Sequence, residues 1–274
     1  MKHKHTGSLA MRGVTYAAAG ITVAVLLFIV AYILVKGVPN LSPDLFAWEY
    51  NSENVSLMPA LINTVLMTGL SLAIAAPLGI FAAIYLVEYA RRGNKFVKLV
   101  RVTAETLSGI PSIVYGLFGL LFFVTTMHFG LSLLAGSLTL VIMILPVIMR
   151  TTEEALIAVP DSYREGSFGL GAGRLRTVFK IVLPSAAPGI LAGIILAIGR
   201  IVGETAALIY TAGTVAEIPE NVLDSTRTLS VHMYTLSQEG LYIDQSYATA
   251  VVLLILVVGI NALSAFAAKR LTRR

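Results

Sequence analysis

Long apolar stretches separated by polar segments dominate the pattern of residues along this chain. A transmembrane helix needs about 20 mostly apolar residues to cross a hydrocarbon core of about 30 Å. Six stretches meet this requirement, at about residues 14–35, 57–87, 102–127, 131–149, 186–210 and 247–268. The pattern predicts an all-α polytopic membrane protein of six transmembrane helices, folded as a single domain over residues 1–274 with its core at about 57–270.

Composition supports this interpretation. The chain is 57% hydrophobic and only 13% charged, with a mean hydropathy of +0.83, whereas soluble domains carry about 25% charged residues. The formal net charge is +5, which in a membrane protein indicates orientation and not a nucleic-acid partner. There is no cysteine, which excludes disulfides, thiol nucleophiles and cysteine-ligated metals.

The polar segments predict the topology. Segments 1–13, 88–101, 150–185 and 269–274 hold 17 of the 20 Lys and Arg residues. Because cytoplasmic loops are rich in Lys and Arg, we expect both termini in the cytoplasm of a multi-pass cell-membrane protein. The first stretch is too long for the core of a signal peptide, so we expect an uncleaved helix. Short helices are expected in the large outer loop, residues 211–246.

The cytoplasmic loop between the fourth and fifth spans, residues 151–185, predicts a short helix over about 160–172. Pro160 suits a helix start, and an acidic residue follows it in the first turn. Glycines 169, 171 and 173 permit a sharp reversal afterwards. We expect Tyr163, Phe168 and Leu170 to be exposed for a partner protein.

The same loop resembles the ATPase-docking loop of ABC importer permeases, whose pattern is Glu-Ala-Ala, Gly, then Ile-x-Leu-Pro at fixed spacing. The matching residues here are Glu165, Gly166, Ser167, Gly171, Ile181, Leu183 and Pro184. The resemblance implies that the loop docks in a groove of an ATPase, which binds ATP and magnesium. We expect movement of the loop to act first on the fifth span, which follows it.

Charged residues inside a span are costly and suggest function. Arg200 and Glu204 are four residues apart in the predicted fifth span, so they would share a helix face and pair. Two interpretations remain open for them: an ion pair that fixes packing, or a transient site for an anion at Arg200. Glu105 is a weaker candidate for the substrate path, because it could instead pair with Arg101.

Two further segments resemble phosphate-importer permeases, and the Thr-Ala-Gly that ends the second is more like the A type than the C type. They are Leu107–Gly119 (LSGIPSIVYGLFG) and Gly203–Gly213 (GETAALIYTAG), the second with Ala207 where the family usually has Pro. The resemblance implies a type I ABC importer permease fold and phosphate as cargo. It also implies three kinds of partner besides membrane lipid: a C-type second permease, two ATPase subunits and an extracytoplasmic phosphate-binding protein.

Other functions remain possible. A permease for another oxyanion, such as molybdate or sulfate, would share the docking loop, whereas a secondary transporter without an ATPase would not need it. The chain lacks a GxxxxGK[ST] phosphate loop, a catalytic triad and metal-ligand spacing among its histidines. We therefore expect a transport subunit that is not itself an enzyme and binds no cofactor or metal.

Overall fold

The computed structural model describes residues 3–91 and 93–272, and over these ranges the chain is helical without a β-strand. The helices are α1 (His3–Gly37), α2 (Met58–Ile84), α3 (Lys95–Ser108), α4 (Ser112–Gly119), α5 (Leu133–Ile157), α6 (Asp161–Gly169), α7 (Arg174–Thr177), α8 (Leu183–Val202), α9 (Ala206–Ile209), α10 (Leu229–Glu239) and α11 (Ile243–Thr272). Three segments of π-helix adjoin these helices. Tyr85–Tyr89 extends α2, Leu120–Thr126 extends α4, and Val178–Val182 precedes α8.

Five helices of the described part are long and apolar enough to cross a membrane, and a bent pair supplies a sixth crossing if it counts as one span. The five are Met11–Asn40, Met58–Tyr89, Leu133–Ile157, Arg174–Val202 and Ile243–Leu263. This confirms the all-helical, polytopic prediction. The sidedness of the termini stays a prediction.

The predicted third span is not one continuous helix. Lys95–Ser108 and Ser112–Thr126 meet at an angle of 103°. The break falls at Gly109-Ile110-Pro111, where proline disfavours helix for the residue before it and glycine lowers helix propensity. The Tyr115 hydroxyl donates to the Leu107 carbonyl at 2.6 Å and so ties the two halves together across the bend.

Two other predicted boundaries are wrong. The fourth span was predicted to end at residue 149, but α5 continues to Ile157, because the Glu-Glu-Ala-Leu sequence at residues 153–156 consists of good helix formers. The fifth span was predicted to run from 186 to 210, but helix is continuous from Arg174 to Val202 and then stops. The predicted helix of the outer loop is α10, which ends at Gly240 in a left-handed conformation.

Helix α5 is the centre of the bundle. In its most apolar stretch 67% of the residues are buried, whereas in the most apolar stretch of α1 0% are buried. Its N-terminus is capped by Ser132, whose side chain accepts from the Ala135 N–H. Helix α8 approaches it through Gly193, which lies against Thr151, as expected for small residues between membrane helices. The largest apolar cluster, which includes Met67, Leu140, Ile144, Ile148 and Ile201, joins α2, α5 and α8.

Candidate functional site

Arg200 lies in the last turn of α8 and lines a small cavity of about 410 Å³. The other residues around this cavity are mostly apolar: Val147, Ile195, Leu196, Gly199 and Asn261. A side chain added at Gly199 would meet nothing within 4 Å among the described residues, so this face of α8 is open. A guanidinium beside an open, largely apolar surface is suited to a transient anion contact.

The predicted ion pair between Arg200 and Glu204 is absent from the ion pairs of residues 3–91 and 93–272. The prediction assumed a continuous helix, but α8 ends at Val202, so the i to i+4 relation does not hold there. Glu204 is buried and accepts a hydrogen bond from the Ala207 N–H at 3.0 Å. Its backbone carbonyl accepts from the Ser230 hydroxyl at 2.6 Å. Glu204 therefore organises the turn into α9.

The two segments that resemble phosphate-importer permeases contact each other in the fold. A Cβ at Gly116 of α4 would lie 2.8 Å from the Cα of Ala207, so these backbones meet where only glycine fits. Gly119, one turn further on, lies against Thr139 and Thr211. The segments Leu107–Gly119 and Gly203–Gly213 thus form one unit beside Arg200.

A second cavity, of about 530 Å³, lies next to the first and is rich in charge. Its charged residues are Arg101, Glu105, Arg150, Glu153 and Glu154. Val147 and Leu196 line both cavities, so a continuous surface runs from Arg200 towards this charged group. The charged cavity was missed in the sequence, because Arg150, Glu153 and Glu154 read as a cytoplasmic loop although they lie on α5.

Glu105 lines the charged cavity but does not pair with Arg101, so that alternative prediction is wrong. Arg101 reaches across from α3 to Glu153 of α5 instead. Arg150 and Glu154 form an exposed ion pair along α5 at 3.1 Å.

The predicted docking helix is α6, and it ends at Gly169 instead of near 172. Tyr163, Phe168 and Leu170 are 52%, 46% and 91% exposed, which leaves an apolar surface without a partner in the described chain. Gly171 has φ +81°, the left-handed conformation that glycine adopts at low cost. The short helix and its glycine-rich reversal follow the sequence prediction.

The other residues of the predicted docking motif divide into two groups. Glu165 and Gly166 are exposed on α6. Ser167 is buried, and its hydroxyl shares a 2.8 Å hydrogen bond with that of Thr177, so it holds the loop together instead of facing outwards. Leu183 and Pro184 begin α8, and Ile181 lies in the π-helical segment just before it. Ile181 and Pro184 line a groove together with Tyr163.

Arg227 and His232 of the outer loop form a buried cluster around Tyr50, which was also missed. Arg227 is 3% exposed, its guanidinium stacks over the Tyr50 ring at 4.7 Å, and its Nε and Nη2 lack hydrogen-bond partners in the described structure. His232 is fully buried at the edge of the same ring. Burial, followed by the Arg227 charge, lowers the pKa of His232 to about 3. The ring is therefore neutral at physiological pH.

Among the described residues, no group of three His, Cys, Asp or Glu side chains could hold a metal ion. The site offers an open cationic position at Arg200, a charged cavity beside it and an exposed apolar surface at α6.

A family model described as "Binding-protein-dependent transport system inner membrane component" matches residues 75–274. The probable ABC transporter permease protein YqgI of Bacillus subtilis is 34% identical over 89% of this chain and 87% of its own length. The phosphate transport system permease protein PstA is 37% identical in Mycobacterium leprae, over 78% of this chain and 71% of its own. PstA of Haemophilus influenzae is 33% identical, over 84% and 82%.

Solved structures show the same fold at lower identity. A subunit of a bacterial alginate ABC transporter matches with a TM-score of 0.63 and 18% identity, covering 93% of this chain and 96% of that chain. The MetNI methionine ABC transporter matches with a TM-score of 0.61 and 21% identity, covering 78% and 94%. These matches confirm the type I ABC importer permease fold.

Proposed function

This chain belongs to the family of binding-protein-dependent transport system inner membrane components, and we propose that it is the permease subunit of an ATP-driven phosphate importer. Arg200 carries the proposal: it has no ion-pair partner among the described residues, and it lies on an open face in a chain whose relatives include named phosphate permeases. An Arg guanidinium presents a planar fork of donors that suits phosphate oxygens.

In the proposed path, phosphate contacts Arg200 and then moves along α5 and α8 towards the charged cavity. The absence of an ion pair to Glu204 supports a direct role for Arg200, because its donors are not satisfied by that carboxylate. Glu105 takes part at the inner end, where it lines the charged cavity without an ion pair among the described residues. The paired arginines there, Arg101 and Arg150, keep contacts with the anion weak enough for release.

The remaining parts of the importer follow from the exposed surfaces. We infer that α6 docks on an ATPase subunit, which supplies the ATP and magnesium chemistry, and that this chain hydrolyses no ATP itself. The open face of α8 would meet a C-type second permease, and an extracytoplasmic phosphate-binding protein would deliver cargo at the outer loops. In this arrangement both termini lie in the cytoplasm.

The test is ATP-dependent uptake of radiolabelled phosphate by proteoliposomes containing the whole importer. Arg200→Gln should lower uptake roughly ten- to hundredfold, because a hydrogen bond to a charged group contributes about 1.5–3 kcal/mol. Glu204→Gln keeps an acceptor for the Ala207 N–H and should transport nearly normally. Lys36→Gln, which removes an exposed charge at the end of α1, is the matched control.

Two results would contradict the proposal. Normal uptake by Arg200→Gln at equal protein level would remove Arg200 from the path. Uptake of sulfate or molybdate in preference to phosphate by the wild-type importer would favour the other-oxyanion permease.

A further inference from the structure

A buried ion pair joins the docking loop to the second span. Glu88 lies in the π-helical segment Tyr85–Tyr89 that ends α2, and Arg164 lies in the middle of α6. Arg164 Nη2 is 2.7 Å and Nε 3.1 Å from Glu88 Oε1. The side chains are 15% and 8% exposed, so solvent screens this pair much less than a surface pair.

The same guanidinium also holds the end of α5. Arg164 Nη1 donates to the Val159 carbonyl at 2.8 Å, and Nη2 donates to the Leu156 carbonyl at 2.9 Å. Leu156 lies in the last turn of α5, where its carbonyl also accepts from the Val159 N–H at 3.3 Å, and Val159 lies just after the helix. One side chain of α6 therefore ties α2 and α5 together.

A second contact lies on the other side of the glycine-rich reversal. The Arg174 guanidinium stands over the Tyr89 ring at 5.7 Å from its centroid, within the range of a cation–π interaction. Glu88, Tyr89, Arg164, Phe168 and Arg174 all line one cavity of about 580 Å³. The end of α2 is thus held from both sides of the residue 169–173 turn.

We propose that the Glu88–Arg164 bridge transmits movement of α6 to α2, so that closure of the ATPases moves the second span directly. This inference rests on the proposed docking of α6 on an ATPase. The docking loop is then linked to the bundle at two points, through the ion pair to α2 and through the backbone that continues into α8. Gly79 of α2 lies against Ile148 of α5, so a displacement of α2 reaches the helices around Arg200.

The experiment compares ATP hydrolysis with phosphate uptake in proteoliposomes containing the whole importer. Glu88→Gln and Arg164→Gln should each keep hydrolysis while phosphate moved per ATP falls roughly five- to tenfold, the lower range of coupling between sites. Arg176→Gln removes one exposed arginine from the same loop and should leave this ratio unchanged. A wild-type ratio in both bridge variants would overturn the inference, as would a proportional fall of both activities.

Two further arms separate this inference from the proposed function. The chain has no cysteine, so Glu88→Cys with Arg164→Cys can be joined by a thiol-reactive spacer, which should restore the ratio. Tyr85→Cys, on the exposed side of the α2 end, should react with a maleimide at a rate that changes on adding ATP in the wild-type background. That change should vanish with Arg164→Gln; its persistence would overturn the inference whatever the cargo.

Discussion

The local structure around Arg200 and Glu204 keeps these two side chains from pairing with each other. Sequence spacing pairs Arg200 with Glu204, but the end of α8 at Val202 separates them, and Glu204 instead accepts from the Ala207 N–H. A buried carboxylate with a backbone donor is satisfied locally, so it does not neutralise the arginine. Charged residues within spans face the bundle interior or a cavity, because exposure to lipid is costly. Arg200 lines the open cavity at its side.

His232 makes the stability of the outer segment depend on pH. Its pKa is about 3 in the folded chain, against about 6.5 for an exposed histidine. Neither ring nitrogen makes a hydrogen bond of normal geometry to the described residues. The Val55 backbone favours the protonated ring, but it is the smallest of the three contributions to the pKa. As the pH falls below about 6.5, His232 binds a proton in the unfolded chain but not in the folded chain. The free energy of unfolding therefore decreases between about pH 6.5 and 3.

We expect about 2 kcal/mol of this stability to be lost by pH 5, at about 1.4 kcal/mol per pH unit. The melting temperature of purified His232→Phe should therefore fall less than that of the wild type between neutral pH and pH 5. The control is His128→Asn, which replaces an exposed histidine and tolerates its positive φ of 56°. An equal loss in the wild type and His232→Phe would contradict the prediction.

At the level of elements, the pattern of long apolar stretches predicted the long helices, and α2, α5 and α11 are each continuous. It failed at residues 109–111 and 203–205, where short polar or glycine-containing interruptions bend or end a helix inside an apolar run. The docking helix was predictable because proline, aspartate and glycine act locally. The Glu88–Arg164 bridge was not, since it joins residues 76 positions apart.

The contact between α4 and α9 should depend on the absence of a side chain at residue 116. Gly116→Ala would push a methyl group against the Ala207 backbone, at a cost of about 1–3 kcal/mol from overpacking. Gly69→Ala is the matched control, because its added Cβ would meet nothing within 4 Å and alanine favours helix by about 1 kcal/mol. Thermal unfolding in detergent should show a lower melting temperature for the first variant alone. Equal melting temperatures would contradict this.

For the whole molecule, the exposed apolar residues of α6 form the face at which we propose that the ATPases dock. Phe168→Asp should abolish co-purification of the ATPase subunits, because a charge replaces an apolar side chain at the proposed contact. Membrane insertion should be unaffected, since Phe168 contributes little to the buried core. Leu241→Asp, which places the same charge at an exposed leucine of the 211–246 loop, should retain the ATPases. Retention by Phe168→Asp would show that α6 is not the docking element.

The peripheral position of α1 has a practical consequence. Its most apolar stretch is unburied in the chain, and its contact with α11 is concentrated near Gly37, which lies against Tyr247 and Val251. A helix attached in this way can diverge in sequence as long as it remains apolar and keeps that glycine. Exchange of α1 for the first helix of a related permease should be tolerated, which makes the N-terminal end the natural place for fusion partners and affinity tags.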